Sequence, residues 1–151
     1  MNIRKATKAD IIQASVLWAL LINEVFKGRK PDIAYWQRFV ADLMDNDSTY
    51  TMYVAEEGNK LVGFTDFIIQ YDPSFSKRML NSFQTYVLPP YRKTGITKAL
   101  WDNVFRTARE EGCDMVFFAT DPGKYTYWKD LMDAELSEIF MVVKTPELKE
   151  V

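Results

Sequence analysis

The chain contains no histidine and a single cysteine, Cys113. Without an imidazole, Ser-His-Asp and Cys-His hydrolytic machinery is excluded, because nothing can serve as its general base. The usual zinc ligand sets are missing as well, so no metal site is expected. One cysteine cannot close an intramolecular disulfide, which fits a reducing compartment. No apolar run approaches the roughly 18 residues needed to cross a bilayer. Met1 to Lys8 is charged and has no apolar stretch, so it does not read as a signal peptide. The expectation is a cytoplasmic protein without a membrane partner. Excess positive charge is lacking too: 19 Lys and Arg against 21 Asp and Glu leave a net charge of −2. That is not the basic footprint of a nucleic-acid binder, and it mildly suits a cationic substrate.

Glycine and proline are sparse, at six each, and no linker or repeat divides the 151 residues. A single domain spanning 1–151 is expected. Hydrophobic residues make up 48% and aromatics 15%, enough for a real core with aromatics to spare for a cleft.

Periodicity orders the elements. A short strand is expected at Asn2 to Lys5, then a capping box at Thr7 and Asp10. An apolar-rich helix runs from Ile11 to Val25 and ends near Gly28. Pro31 is expected to start a second helix, through Leu43. Tyr50 to Ala55 and Leu61 to Tyr71 read as a hairpin around Glu57-Gly58-Asn59. After a loop at Asp72 to Ser76, Arg78 to Leu88 reads as a third strand of this meander. A helix from Ile96 to Glu111 precedes a short apolar strand, Met115 to Thr120. A short helix, Tyr125 to Met132, and a strand, Ser137 to Lys144, close the chain. The helix between the strands at Leu88 and Met115 implies a parallel, right-handed crossover. The fold class is therefore α/β, with a mixed, mostly antiparallel sheet and one parallel β-α-β unit.

The most informative stretch is Tyr86-Val87-Leu88-Pro89-Pro90-Tyr91-Arg92-Lys93-Thr94-Gly95-Ile96-Thr97-Lys98-Ala99-Leu100. It reads as strand, tight loop and helix. A loop entering a helix presents unpaired N–H groups and the positive end of the helix dipole, which suits a phosphate. Gly95 permits close approach of the backbone, and Arg92, Lys93 and Lys98 add positive charge. This stretch resembles motif A of the GNAT (GCN5-related N-acetyltransferase) superfamily, whose core reads Gln/Arg-x-x-Gly-x-Gly/Ala. Arg92 and Gly95 match, Thr97 departs from the last small position, and Val-x-Pro-x-Tyr-Arg and Ile-x-x-Ala-Leu match the flanks. The likeness extends over the chain in length and element order.

The resemblance implies the GNAT fold and acetyl-CoA as co-substrate of an N-acetyltransferase acting on a primary amine. It implies that the backbone of Val87 and Leu88 pairs with the pantetheine arm. The pyrophosphate then falls to Arg92, Lys93, Thr94, Gly95, Ile96 and Thr97, with Lys98 close by. The second family motif is matched only in spacing: Asp121, Lys124 and Trp128 stand for its Asn, Ala and Tyr, and Met132-Asp133 for its Gly-Phe. The family tyrosine often protonates the departing thiolate. Tryptophan has no acidic hydroxyl, so Tyr125 and Tyr127 are the alternatives.

Acetyl transfer to an amine also needs a base, because a lysine-like ammonium near pKa 10.4 is charged at neutral pH. The strand before motif A carries no Asp or Glu, although Asn81, Gln84 or Tyr86 can hold a relay water. Asp66 on the preceding strand is the nearest acidic candidate, with alternation leaving its facing open, and Glu24 is a further one. The connection Asn23 to Ile33 and the loop Asp72 to Lys77, with Phe75, are expected to shape the acceptor cleft. The missing strand carboxylate and Trp128 keep a second reading open, an acyl-CoA-binding or regulatory protein with altered catalysis. The last strand and the aromatics offer a surface for a homodimer.

Overall fold

A computed structural model of the chain describes residues 1–74, 76–120 and 122–132. The chain divides into two compact units, Met1–Ala119 and Thr120–Val151. Phe75, Asp121, Asp133 and the expected strand Ser137 to Lys144 lie outside the described residues.

The first unit runs β1 (Asn2–Lys5), α1 (Ile11–Val25), α2 (Ile33–Asn46), β2 (Tyr50–Glu57), β3 (Lys60–Asp72), β4 (Lys77–Val87), α3 (Ile96–Glu110) and β5 (Met115–Phe118). The sheet order is β1-β2-β3-β4-β5. The first three pairings are antiparallel and β4 with β5 is parallel, as the crossover through α3 requires. The mixed α/β sheet and its parallel β4-α3-β5 unit are those expected from the sequence.

Helices cover both faces. Alternation along β2, β3 and β4 sends Met52, Val54, Phe64 and Tyr86 into one core with Ile11, Ala14 and Leu17 of α1 and Trp36 and Val40 of α2. Trp18 stacks on Trp36 at 5.2 Å, and Trp36 meets Phe64 edge-on. On the opposite face, the Tyr53 and Thr107 hydroxyls lie 3.0 Å apart, tying β2 to α3. Leu100 and Val104 of α3 are fully buried.

The second helix begins at Ile33 rather than Pro31. The Asp32 carboxylate accepts the Tyr35 N–H at 2.9 Å and so fixes the N-cap one residue beyond the proline. At the other end of the expected capping box, Thr7 N–H donates to Asp10 at 2.8 Å, over a 3-10 turn that leads into α1. Arg4 forks onto both Asp10 oxygens and also reaches Glu56, pinning β1 to the turn and to β2. The Arg4 guanidinium, helped by the Thr7 N–H, holds the Asp10 carboxyl down at about 2.

In the second unit a 3-10 turn, Pro122–Lys124, leads into α4 (Tyr125–Met132). Trp128 Nε1 donates to Thr120 Oγ1 at 2.7 Å, and its ring meets Tyr127 edge-on at 5.1 Å.

Candidate active site

Strand β4 is the backbone of the site. It pairs with β5 from Met79↔Met115 to Ser82↔Phe118, where β5 ends. Beside that point its pairing with β3 slips: Asp66 lies opposite Gln84 and Phe67 opposite Ser82, which leaves Phe83 as an extra residue. Such a bulge bends the strand that carries it. From Phe83 to Val87, β4 has no β5 partner among the described residues, so this edge is open to an extended ligand. Val87 and Leu88 stand at its end. Leu88 N–H donates to Val62 O at 2.9 Å, anchoring the exit of the strand.

Pro89-Pro90-Tyr91 then forms one 3-10 turn, closed by Arg92 N–H to Pro89 O at 3.2 Å. Lys93 (φ 64°) and Gly95 (φ 89°) both take the left-handed conformation on either side of Thr94, whose hydroxyl donates back to Tyr91 O. Alternation of this kind turns successive N–H groups toward one side, a concavity that suits an anion. Gly95 is the N-cap of α3, and among the described residues no side chain caps the helix. The N–H groups of Ile96, Thr97 and Lys98 therefore have no partner within the helix.

The fit to a pyrophosphate can be tested at Gly95. A Cβ there would meet no heavy atom of the described residues within 4 Å, so among these residues the space beside Gly95 can take a ligand. Ile96 is buried and holds the turn to the core, while Thr97 is half-buried and Lys93 and Thr94 are exposed. Lys98 pairs with Asp102 one turn along α3 at 2.8 Å. Arg92 points elsewhere: its Nε donates to Val87 O at 2.9 Å and its two Nη atoms donate to the two Glu24 oxygens at 2.8 and 2.7 Å. Glu24, one of the two carboxylates considered as base, is thus engaged by Arg92.

Asp66 lies on the α1–α2 face, opposite Met52 of β2 and Gln84 of β4. It is 3% exposed. This decides what alternation left open: the carboxyl is buried, not solvent-facing. Tyr50 Oη donates to Asp66 Oδ2 at 2.9 Å, and Oδ1 is buried with no hydrogen-bond partner among the described residues. Burial lifts the Asp66 carboxyl to about 7, against the opposing pull of the Tyr50 hydroxyl. Burial and the nearby carboxyl push the Tyr50 phenol up in turn, so it stays a donor. A carboxyl that titrates near neutrality is matched to proton abstraction at neutral pH.

Reasoning from the sequence did not single out Tyr50. Its signal was the pairing of Tyr50 with Ile68 and of Met52 with Asp66, which makes Tyr50 a diagonal neighbour of Asp66 on one face. Tyr125 opens α4, and Tyr127 in the same helix is exposed.

The sequence model of the Acetyltransferase (GNAT) family matches residues 17–126. The chain belongs to that family. Among similar proteins, N-acetyltransferase 8F1 of Rattus norvegicus is 32% identical over 95 residues, covering 56% of this chain and 43% of that protein. N-acetyltransferase 8 of Rattus norvegicus is 27% identical over 124 residues, covering 73% and 56%. The chain spans about half the length of the curated relatives it matches. A structure from Clostridium acetobutylicum, described as a predicted acetyltransferase with acetyl-CoA, superposes with a TM-score of 0.78 at 19% identity, covering 94% of this chain and 95% of that one. The fold is therefore the GNAT fold.

Proposed function

We propose that the chain is an N-acetyltransferase that moves the acetyl group of acetyl-CoA directly to a primary amine. The observation that carries this reading is the path of β4: it parts from β5 after Ser82 and runs into the uncapped N-terminus of α3. Acetyl-CoA supplies the activated thioester. The open edge of Phe83 to Val87, with Leu88, takes the pantetheine arm by main-chain pairing. Lys93 to Thr97 offer their N–H groups to the pyrophosphate, with Lys98 contributing charge from the first turn.

Asp66 is the proposed base, with Oδ1 as the atom that takes the amine proton. Tyr50 holds the other oxygen, so the carboxyl presents one defined face. Gln84, directly across on β4 and only half-buried, suits a relay water. Tyr125 and Tyr127 are the proposed sources of the proton for the departing thiolate.

The test is release of CoA thiol from acetyl-CoA in the presence of a panel of primary amines, from diamines to amino-acid amides. Amine-dependent release is expected, and it should be lost in Asp66→Asn. The departure of Trp128 from the family tyrosine favours a second reading, an acyl-CoA-binding protein with altered catalysis. Saturable acetyl-CoA binding without release against any amine would select it.

A further inference from the structure

Arg92 heads the loop that runs into α3, yet its guanidinium lies on the other side of the sheet. Its Cζ sits 5.2 Å from the centre of the Tyr86 ring, and Tyr86 belongs to the core beneath α1 and α2. Helix α3 packs against the opposite face, through Thr107 on Tyr53 and Leu100 beneath Gly63. Both prongs of the guanidinium meet Glu24 in the last turn of α1, and Nε meets the Val87 carbonyl. Main chain, aromatic face and bidentate carboxylate together define one orientation for this side chain.

We propose that Arg92 is a positioning residue rather than a pyrophosphate ligand: with Glu24 it joins the end of α1 to the start of the cofactor loop. The pyrophosphate is then left to the main chain from Lys93 to Thr97 and to the Lys93 ammonium, which has no ion-pair partner within 4 Å among the described residues. The inference rests on the acetyl-CoA reading above. Its logic is that the left-handed residues Lys93 and Gly95 follow Arg92 directly. Fixing Arg92 to Val87 and Glu24 sets the direction from which their N–H groups face the anion.

The chemistry of the two cations separates this role from direct ligation. Lysine keeps the charge of arginine but cannot reproduce a bidentate fork on a carboxylate. Acetyl-CoA is titrated calorimetrically at low and high salt into wild type, Glu24→Gln, Arg92→Lys, Arg92→Gln, the Glu24→Gln/Arg92→Gln double variant and Lys93→Gln, each checked for an intact melting transition. The first three variants should weaken binding alike, by about threefold to fivefold, as loss of an exposed ion pair implies. The double variant should be no worse, and the salt dependence should stay that of wild type. Lys93→Gln alone should flatten the salt dependence, because it removes a charge from the anion.

Flattening in Arg92→Gln with near-normal binding in Arg92→Lys would make Arg92 a phosphate ligand and overturn the proposal. Tighter binding in Glu24→Gln, with Arg92 released to the anion, would do the same. If wild type does not bind acetyl-CoA, the functional reading fails, and amide exchange still judges the joint. The Phe26 N–H, bonded to Ile22 O at 2.8 Å, should then exchange faster, and equally so, in Glu24→Gln and Arg92→Gln. Unchanged exchange in both would overturn the joint itself.

Discussion

The Tyr50 hydroxyl holds one oxygen of the Asp66 carboxyl at 2.9 Å while the other oxygen has no hydrogen-bond partner in the core among the described residues. A buried carboxyl of this kind favours its protonated form, and burial accordingly raises it from 3.8 to about 7. The folded state binds this proton more tightly than the unfolded chain. The stabilisation is therefore complete below the unfolded value and is lost as pH rises through about 7. Asp66→Asn should melt close to wild type near pH 4 and above it near pH 8. Thermal unfolding at the two pH values checks this, and a variant less stable than wild type at pH 8 would contradict it.

The same variant separates stability from chemistry. Asp66→Asn should lower amine-dependent turnover by about a hundredfold or more, the usual contribution of a positioned general base. Its acetyl-CoA affinity should be unchanged, because Asp66 sits on β3 with Tyr50 as its hydrogen-bond partner and is not part of the loop that enters α3. Turnover close to wild type would remove Asp66 from the mechanism.

Tyr50→Phe should move the titration rather than abolish it. The Tyr50 hydrogen bond lowers the Asp66 value and burial raises it. Removing the hydroxyl takes away the largest of the opposing effects and leaves only main-chain N–H groups against burial, so the midpoint of the acid limb of the pH–kcat/KM profile should shift upward from about 7. A downward shift would mean that the hydroxyl does not act on the carboxylate form.

Much of this arrangement was legible in the residues. The hairpin signal at Glu57-Gly58-Asn59 and the apolar stripe Ile96, Leu100, Val104 placed β2, β3 and α3 to within a residue or two. The strand-loop-helix passage at Gly95 drew attention to the open N-terminus of α3. Three features were hidden because they depend on contacts distant in sequence. The facing of Asp66 depends on its register with Gln84, next to the bulge at Phe83. The Tyr50 partner comes from 16 residues away. The Arg92–Glu24 pair spans 68 residues, so the direction of the Arg92 side chain, turned toward α1, could not be read beside the glycine loop. Pro31 was misread as a helix start because the Asp32 carboxylate competes for that role and wins.

Gly95→Ala is a test of backbone conformation. The added methyl meets no heavy atom of the described residues within 4 Å, but the residue must keep φ near 89°. Left-handed backbone costs an ordinary residue about 1–2 kcal/mol. The variant should therefore melt a few degrees lower with its core intact. An unchanged melting temperature would show that the loop relaxes out of this conformation.

Tyr125 or Tyr127 is the proposed donor of the proton to the departing thiolate. Phenylalanine at that position should cut turnover by about a hundredfold, the lower range for general acid catalysis, and leave acetyl-CoA affinity unchanged. Full activity in both single variants would argue against either acting alone.

The most direct test of the cofactor site is calorimetric titration of the folded protein with acetyl-CoA, with CoA as comparison, in wild type and in Gly95→Glu. The site described predicts saturable binding by wild type and its loss in the variant, where a carboxylate would enter the space before α3. No binding by folded wild type, or equal binding by the two proteins, would contradict the assignment of the loop from Lys93 to Lys98 as the pyrophosphate site.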